Sequence, residues 1–134
     1  MQKNLINISD YYNSENITYE LIDVRSPYEY SIDHIPGALN FPALNNLERA
    51  EVGKIYNQNS FEAKKIGAAL ICKNIAVYLE NTWKDKPKSW LPVIYCWRGG
   101  DRSKSVSHVL EKIGWKVFVL DGGYKAYRKY VLNC

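Results

Sequence analysis

The stretch LPVIYCWRGGDRSKSVSHVLEKIG, residues 91 to 114, contains the pattern that decides the fold. LPVIYC at 91–96 is a short apolar run, which is typical of a buried strand. SKSVSHVLEKIG at 103–114 predicts a helix that ends at Gly114, because glycine commonly follows the last turn of a helix. A buried strand that leads through a glycine-rich loop into a helix indicates an α/β fold.

The segment before this stretch repeats the same order. YELIDVR at 19–25 predicts a strand, and SPYE directly after it predicts the start of a helix. In that start Ser26 caps the helix, Pro27 occupies its first position, and Glu29 reaches back as in a capping box. IPGALNFP at 35–42 predicts a turn and a brief strand.

The segment after the stretch completes the alternation. WKVFVLD at 115–121 predicts a strand, and the glycines at 122–123 turn the chain into a last helix, YKAYRKYVL. Tyr124, Tyr127 and Tyr130 are three apart and are expected on its inner face. Strands that alternate with helices imply a central parallel sheet flanked by helices.

The centre of the chain, from Asn45 to about Trp83, is predicted to be helical with a break near NQNS at 57–60, where Ser60 caps a second helix. Five apolar residues at helical spacing predict the buried face of that second helix: Ile66, Ala69, Leu70, Ala76 and Val77. Cys72 lies within it and is expected to be buried and inert.

A chain of 134 residues predicts one domain, 1–134. No run approaches the length of a membrane span, and Met1–Asp10 lacks the features of a signal peptide, so a cytoplasmic protein with no membrane partner is expected. Cys72, Cys96 and Cys134 suit neither a disulfide framework nor a zinc site, and three free thiols and no metal are expected. No feature predicts an oligomeric state.

The net charge of +4 is unevenly distributed, because residues 98–129 hold eight Lys and Arg against three Asp and Glu. This positive field surrounds the loop after the strand 91–96. It favours an anionic substrate or an RNA backbone, although such a charge excess is also common on an ordinary solvated face.

Cys96 stands where a buried strand ends, which is the edge of an open α/β sheet at which ligands bind. Gly99 and Gly100 allow successive backbone N–H groups to turn inward as an anion nest, and the helix expected near Ser103 adds its positive end. This field favours the thiolate of Cys96, with Arg98 and Arg102 adding charge if they point inward. A reactive nucleophile is therefore predicted, the alternative being an inert cysteine at a strand end.

Three stretches, LIDVRSPYEYSIDHIPGALNFP, IYCWRGGDRS and LDGGYKAYR, resemble the signatures of the rhodanese family in their usual order and across nearly the whole chain. The resemblance implies a three-layer rhodanese-like fold. NNLERAEVGKIYNQNSFEAKKIG and the loop CWRGGDRS are similar to the rhodanese domain of bacterial tRNA 2-selenouridine synthases. That family replaces sulfur by selenium at the 2-position of the wobble uridine.

The resemblance implies tRNA as a partner, selenophosphate as the selenium donor and no tightly bound cofactor. The active loop departs from ordinary rhodaneses, because Cys96 to Arg102 makes seven residues instead of six. Loops of this length hold a tetrahedral oxyanion in rhodanese-like phosphatases and arsenate reductases. A stand-alone sulfurtransferase, such an oxyanion enzyme with Asp101 as general acid, and a non-catalytic docking module remain alternatives.

The synthase family continues into a P-loop segment, and no G-x-x-x-x-G-K-[ST] occurs in these residues. The chain is therefore expected to be an excised domain, or a subunit whose P-loop half is a separate chain. Selenouridine synthesis by this chain alone is not expected.

The predicted site consists of a nucleophilic cysteine and the loop that follows it. Cys96 is the nucleophile, and the anion is bound by the loop residues after it: Trp97, Arg98, Gly99, Gly100, Asp101, Arg102 and Ser103. Arg102 matches the family's loop-closing position and is expected to face inward, the alternative being an ion pair with a residue such as Asp101. Trp97 is expected to stack on a nucleobase or to wall the pocket.

Four residues outside the loop are predicted to support the site. Asp23, Arg25 and Glu29 match the family's Asp-x-Arg-x-x-x-Glu stretch and are expected to be scaffold, with Arg25 and Glu29 able to pair. His34 falls in the turn before Pro36 and is expected to order it. His108, in mid-helix, is expected to be packed or solvated.

Overall fold

A parallel sheet runs between two layers of helices in the computed structural model, which describes residues 4–133. In this part of the chain the strands are β1 (Leu5–Ile6), β2 (Glu20–Asp23), β3 (Leu39–Asn40), β4 (Pro92–Tyr95) and β5 (Phe118–Leu120), in the spatial order β1-β5-β4-β2-β3. The helices are α1 (Ile8–Tyr12), α2 (Pro27–Ile32), α3 (Asn46–Tyr56), α4 (Ser60–Asn81), α5 (Asp101–Ile113) and α6 (Gly123–Leu132), with a 3₁₀ turn at Trp83–Asp85. The predicted parallel sheet flanked by helices is confirmed.

Strand β4 lies at the centre of the sheet, between β5 and β2, and is buried along its whole length. Successive side chains of a strand point to opposite faces. Val93 and Tyr95 therefore enter the core beneath α1 and α6, whereas Ile94 and Cys96 enter the core beneath α4 and α5. This alternation assigns the Cys96 side chain to the α4–α5 face of the sheet.

The helix starts follow the predicted capping chemistry, with one correction. Ser26 and Glu29 form the predicted reciprocal capping box at α2, and Pro27 is its first residue. Helix α4 is capped by Asn59, whose side chain accepts from the backbone N–H of Glu62, so the prediction of Ser60 as the cap was wrong by one residue. Asparagine caps helices as well as serine does, and the NQNS break contains both.

Helix α4 buries a different face from the one predicted. Its buried residues are Ala63, Gly67, Ile71 and Ile75, which pack toward α3 and α5. Of the predicted stripe, Leu70 is partly buried, and the exposed members are Ile66, Ala69, Ala76 and Val77. Cys72 is exposed as well, so its predicted burial was wrong. The helix is apolar on two sides, and spacing alone could not show which side faces the sheet.

The N-terminal segment contains two elements that the sequence did not predict. Strand β1 has only two residues and pairs with β5, and α1 is a five-residue helix capped by Asn7. Neither is long enough to show a periodic pattern. Cys134, predicted to be a free thiol, lies outside the described residues. None of the helices within residues 4–133 is long and apolar enough to cross a membrane.

Helix α6 begins directly against the loop that follows β4. The backbone N–H of Tyr124 donates to the carbonyl of Cys96 at 2.8 Å, and that of Lys125 donates to the carbonyl of Trp97 at 3.0 Å. Gly123 has a φ of +58°, and a Cβ on it would collide with the Cys96 carbonyl and stand 2.8 Å from the Gly99 nitrogen. Only glycine fits at this contact. Tyr124 is buried and Tyr127 and Tyr130 are half-buried, so the predicted inner face of α6 is confirmed.

Two glycine-to-alanine substitutions should have opposite effects on stability. Gly123→Ala forces a Cβ into the loop backbone at a positive φ, and we expect the free energy of unfolding to fall by about 2 kcal/mol or more. Gly53→Ala is the matched control, because Gly53 lies within α3 with nothing inside 4 Å of its Cβ position. It should gain about 0.5–1 kcal/mol from helix propensity. Urea denaturation measures both, and equal effects would contradict the proposed close contact.

Candidate functional site

Cys96 follows the carboxyl end of β4, and its thiol is buried within the loop that it begins. The residue is 3% exposed, and its Sγ accepts a hydrogen bond from the backbone N–H of Gly100 at 3.2 Å. The loop therefore curls back over its own first residue. Gly99 permits this path, because its φ of +75° is in the left-handed region.

Ser103 is the second polar contact of the thiol. Cys96 Sγ lies 3.2 Å from Ser103 Oγ, and that hydroxyl donates to the carbonyl of Gly100 at 3.1 Å. Ser103 is completely buried, so no water competes for its hydroxyl. A hydroxyl can rotate to donate to sulfur when the thiol loses its proton. In this structure the thiol donates to Ser103 Oγ and accepts from the Gly100 N–H, so Ser103 would become a second donor to sulfur only after its hydroxyl turns away from the Gly100 carbonyl.

Helix α5 begins at Asp101, two residues earlier than predicted, so its positive end lies inside the loop. Gly100 occupies the cap position and offers no side chain to the first backbone N–H groups. These groups remain available to an anion at the helix start. Gly99 and Gly100, from which an anion nest was predicted, thus lead directly into the start of α5.

Arg102 forms an ion pair, but with Glu29 and not with Asp101. Its Nη1 donates to Glu29 Oε1 at 2.7 Å, and the Arg102 side chain is 11% exposed. Arg49 of α3 donates to the same oxygen through Nε at 3.3 Å. Burial alone would raise the pKa of Glu29, but the hydrogen bonds from Arg102 and Ser26 and the charge of Arg102 outweigh it and lower the pKa to about 2.

Arg25 pairs with Asp23, and the predicted pair between Arg25 and Glu29 does not form. Its guanidinium donates to both Asp23 oxygens, and Tyr95 donates to Asp23 at 2.7 Å. Asp23 is 0% exposed and Arg25 2% exposed. Burial lowers the pKa of Arg25, but the hydrogen bond and charge of Asp23 raise it by more, so Arg25 remains charged. Burial and the neighbouring Asp23 raise the pKa of Tyr95.

The Arg25 guanidinium extends this network toward α6. It donates to the carbonyl of Asp33 at 2.7 Å and lies 4.2 Å from the ring centroid of Tyr124. Tyr124 donates its hydroxyl to the Asp33 carboxylate. Trp97 stacks on the ring of Tyr124, with the two ring centroids 5.6 Å apart. The loop residue after Cys96 is thus held by a stack that ends at Arg25.

His34 lies in the turn where it was predicted, away from the thiol. Its Nδ1 is 2.9 Å from the carbonyl of Tyr30, and its ring stacks on the Tyr30 ring with centroids 3.7 Å apart. These contacts are local to the segment between α2 and β3. His108 of α5 is exposed.

A cavity of about 520 Å³ opens beside Cys96, between the active loop and helices α3 and α4. Its apolar wall includes Leu44, Val52, Tyr56, Ala63, Gly67 and Ile71. Its cationic lining residues are Arg49, Lys64, Arg98 and Arg102, and Asp101 is the acidic one. Trp97 is 40% exposed and also lines the cavity. The space beside the thiol is therefore largely apolar with a basic rim.

The residues of this wall were not predicted individually. Arg49, Val52, Tyr56, Ala63 and Lys64 all lie in NNLERAEVGKIYNQNSFEAKKIG, the segment whose resemblance pointed to selenouridine synthases. That resemblance was the available signal, but it did not show which side chains face Cys96.

Comparison with known proteins assigns the fold family. The rhodanese-like domain model matches residues 8–130. The chain belongs to the rhodanese family. The N-terminal domain of a Clostridium difficile 630 protein named for ATP/GTP binding superposes with a TM-score of 0.82 at 37% identity, covering 96% of this chain and 98% of that one. A rhodanese-related protein of Thermoplasma volcanium shares the fold at 19% identity, with a TM-score of 0.61 over 96% and 93% of the two chains.

Curated relatives are named tRNA 2-selenouridine synthase. The protein of Bdellovibrio bacteriovorus is 39% identical over 118 residues, and that of Nitrosomonas europaea is 36% identical over 118 residues. Both alignments cover 84% of this rhodanese chain but 30% of the relative. The chain thus spans less than a third of the length of these relatives.

Replacement of Glu29 should change how stability depends on pH. The folded-state pKa of about 2 lies below the usual 4.5, so Glu29 stabilises the fold above pH 4.5 and loses that effect as pH falls toward 2. Glu29→Gln should lower the free energy of unfolding by roughly 2–3 kcal/mol at neutral pH. The difference in stability between the native chain and Glu29→Gln should shrink as the pH falls from 4.5 toward 2. Denaturant unfolding at several pH values measures it. The exposed Glu51→Gln is the control, and a constant difference for Glu29→Gln would contradict the ion pair.

Loss of the Ser103 hydroxyl should slow reaction of the thiol. Ser103→Ala removes a donor to the thiolate, and we expect alkylation of Cys96 by iodoacetamide to slow about tenfold or more at neutral pH. Mass spectrometry of the Cys96 peptide separates this reaction from that of the exposed Cys72. Ser107→Ala is the matched control, because Ser107 is a buried serine of α5 that donates to the Lys104 carbonyl. Equal rates for both variants would exclude the role of Ser103.

Proposed function

We propose that this chain is the rhodanese domain of a tRNA 2-selenouridine synthase, in which Cys96 takes part in replacing sulfur by selenium at the 2-position of the wobble uridine. The observation that supports this proposal most is the sequence identity to relatives named for the activity. The relatives named for this activity are 36–39% identical over 84% of the chain, whereas the Thermoplasma volcanium rhodanese-related protein is 19% identical. The resemblance is thus much stronger than the fold alone requires.

The geometry suits this chemistry. Gly100 and Ser103 stabilise a Cys96 thiolate, and the start of α5 with Arg98 and Arg102 binds an oxyanion beside it. Selenophosphate carries such an oxyanion and serves as the selenium donor, with no tightly bound cofactor. The apolar cavity receives the sulfur-bearing base, and Trp97 offers it an aromatic face.

The proposal includes a partner. Because the chain spans 30% of the matched relatives, the remaining steps belong to a P-loop domain or a separate P-loop subunit that binds the tRNA. The transferase activity of this chain is therefore incomplete without that partner.

Two other reactions use the same site. In a stand-alone sulfurtransferase, the Cys96 thiolate attacks the outer sulfur of thiosulfate, the S–S bond breaks, sulfite leaves, and Cys96 carries a persulfide. In a phosphatase or arsenate reductase, Asp101 would protonate the leaving group, and its place in the cavity lining is compatible with that role.

Intact-mass spectrometry after incubation with selenophosphate, and separately with thiosulfate, tests the proposal. We expect a selenium adduct for which the Cys96 thiolate attacks selenium, the Se–P bond breaks and its electron pair leaves with phosphorus as phosphite. The adduct should form on the native chain and on Cys72→Ser and be lost in Cys96→Ser and Cys96→Ala. Cys72→Ser is needed because that thiol is exposed.

The other outcomes identify the alternatives. A sulfur adduct alone would favour the stand-alone sulfurtransferase. Hydrolysis of an aryl phosphate that requires Cys96 and Asp101, with no adduct, would favour the oxyanion enzyme. If neither occurs and Cys96 reacts no faster than free cysteine, the docking module becomes the better interpretation.

A further inference from the structure

We infer that Arg49 of α3 is a second anion-binding arginine, which binds a small dianionic oxyanion beside Arg102 in the cavity next to Cys96. The inference rests on the proposed function only for the identity of that oxyanion. The family resemblance covers the segment that contains Arg49 but gave this residue no role.

The first observation is that Arg49 and Arg102 share one acceptor atom. Glu29 Oε1 accepts from Arg102 at 2.7 Å, from the backbone and hydroxyl of Ser26 at 3.0 and 2.9 Å, and from Arg49 at 3.3 Å. A carboxylate oxygen has two lone pairs, so four donors exceed what it can bind well. Arg49 makes the longest of these contacts and is the one most easily exchanged for another acceptor.

The second observation is that most donors of Arg49 are free. Only Nε contacts Glu29, and within residues 4–133 the structure shows no protein acceptor for the two terminal nitrogens. The side chain is 46% exposed and lines the cavity beside Cys96. A planar guanidinium with two unused N–H₂ groups is well suited to bind a tetrahedral oxyanion through two parallel hydrogen bonds.

The third observation is the charge of the cavity. Four cationic side chains line it, from α3, α4 and the active loop, against Asp101 alone among the described residues. Glu29 neutralises part of this charge from outside the lining. The remaining excess favours a ligand with two negative charges over one with a single charge.

The position of α3 makes the two arginines complementary. Arg102 belongs to the first turn of α5 and Arg49 belongs to α3, and the two side chains meet at Glu29 Oε1 where both line the cavity. Arg102 already donates to both oxygens of Glu29 through its two terminal nitrogens. An oxyanion at the start of α5 would therefore draw its further hydrogen bonds from the terminal nitrogens of Arg49. This arrangement fits the wider seven-residue loop, which leaves an oxyanion accessible from α3.

Protection of Cys96 by inorganic phosphate tests the inference without selenium. The full chain is alkylated with iodoacetamide at pH 8 and constant ionic strength, over a range of phosphate concentrations, and the Cys96 peptide is followed by mass spectrometry. We expect Arg49→Gln to raise the concentration for half-protection about tenfold, because two charge-assisted hydrogen bonds are lost. Arg49→Lys should lie between the native chain and Arg49→Gln.

Lys54→Gln is the matched control, because it removes one positive charge from the exposed last turn of the same helix. In Lys54→Gln, phosphate should protect Cys96 with the same half-protection concentration as in the native chain. The inference would be overturned if Arg49→Gln had the same half-protection concentration as the native chain. It would also be overturned if Lys54→Gln raised that concentration as much as Arg49→Gln does. Arg49→Lys keeps the charge, so the comparison remains decisive if Arg49→Gln proves unstable.

Two further experiments are needed. One distinguishes a free dianion from an RNA phosphodiester as the ligand, and the other distinguishes failure of the Arg49 inference from failure of the proposed function. Dimethyl phosphate, a singly charged diester like an RNA linkage, should protect poorly, and protection equal to that by phosphate would contradict a dianion site. Phosphate protection that depends on Arg49, without a selenium adduct, would support Arg49 and reject the proposed function. A selenium adduct that forms equally well in Arg49→Gln would do the reverse.

Discussion

The buried ion pair between Asp23 and Arg25 is the interaction on which the site depends. A buried charged pair is costly to desolvate and is stable only when its hydrogen-bonding capacity is satisfied. Here Asp23 accepts from Arg25 and from Tyr95, and Arg25 also donates to the carbonyl of Asp33 and lies against Tyr124. The pair thereby joins β2, β4, the turn after α2 and the start of α6, which are the elements that surround the active loop.

The loop itself is held by backbone contacts that leave its reactive atoms free. The first N–H groups of α6 bind the Cys96 and Trp97 carbonyls from one side of the sheet, while Gly100 and Ser103 contact the thiol on the other. Because these two carbonyls accept hydrogen bonds from α6, they point away from the thiol. The loop after Cys96 therefore presents the Gly100 N–H to the thiol and the uncapped start of α5 to the cavity beside it.

Local chemistry was predictable from the sequence, and side-chain partners across the fold were not. The parallel sheet, the capping box of Ser26 and Glu29, and the position of Cys96 at a strand end follow from short patterns. The partner of Glu29 is Arg102, far along the chain, and no spacing rule connects them. The buried face of α4 was missed because both sides of that helix are apolar, and β1 because pairing with β5, not its own pattern, makes it a strand.

The contacts of Cys96 are divided between the two layers of the fold. Its backbone is anchored by α6 on one face of the sheet, and its side chain opens toward α3 and α4 on the other. Neither α3 nor α4 contributes to the backbone hydrogen bonds from α6 that anchor Cys96. Changes in this pair would therefore reshape the space that leads to the thiol and leave the backbone contacts that hold Cys96 in place.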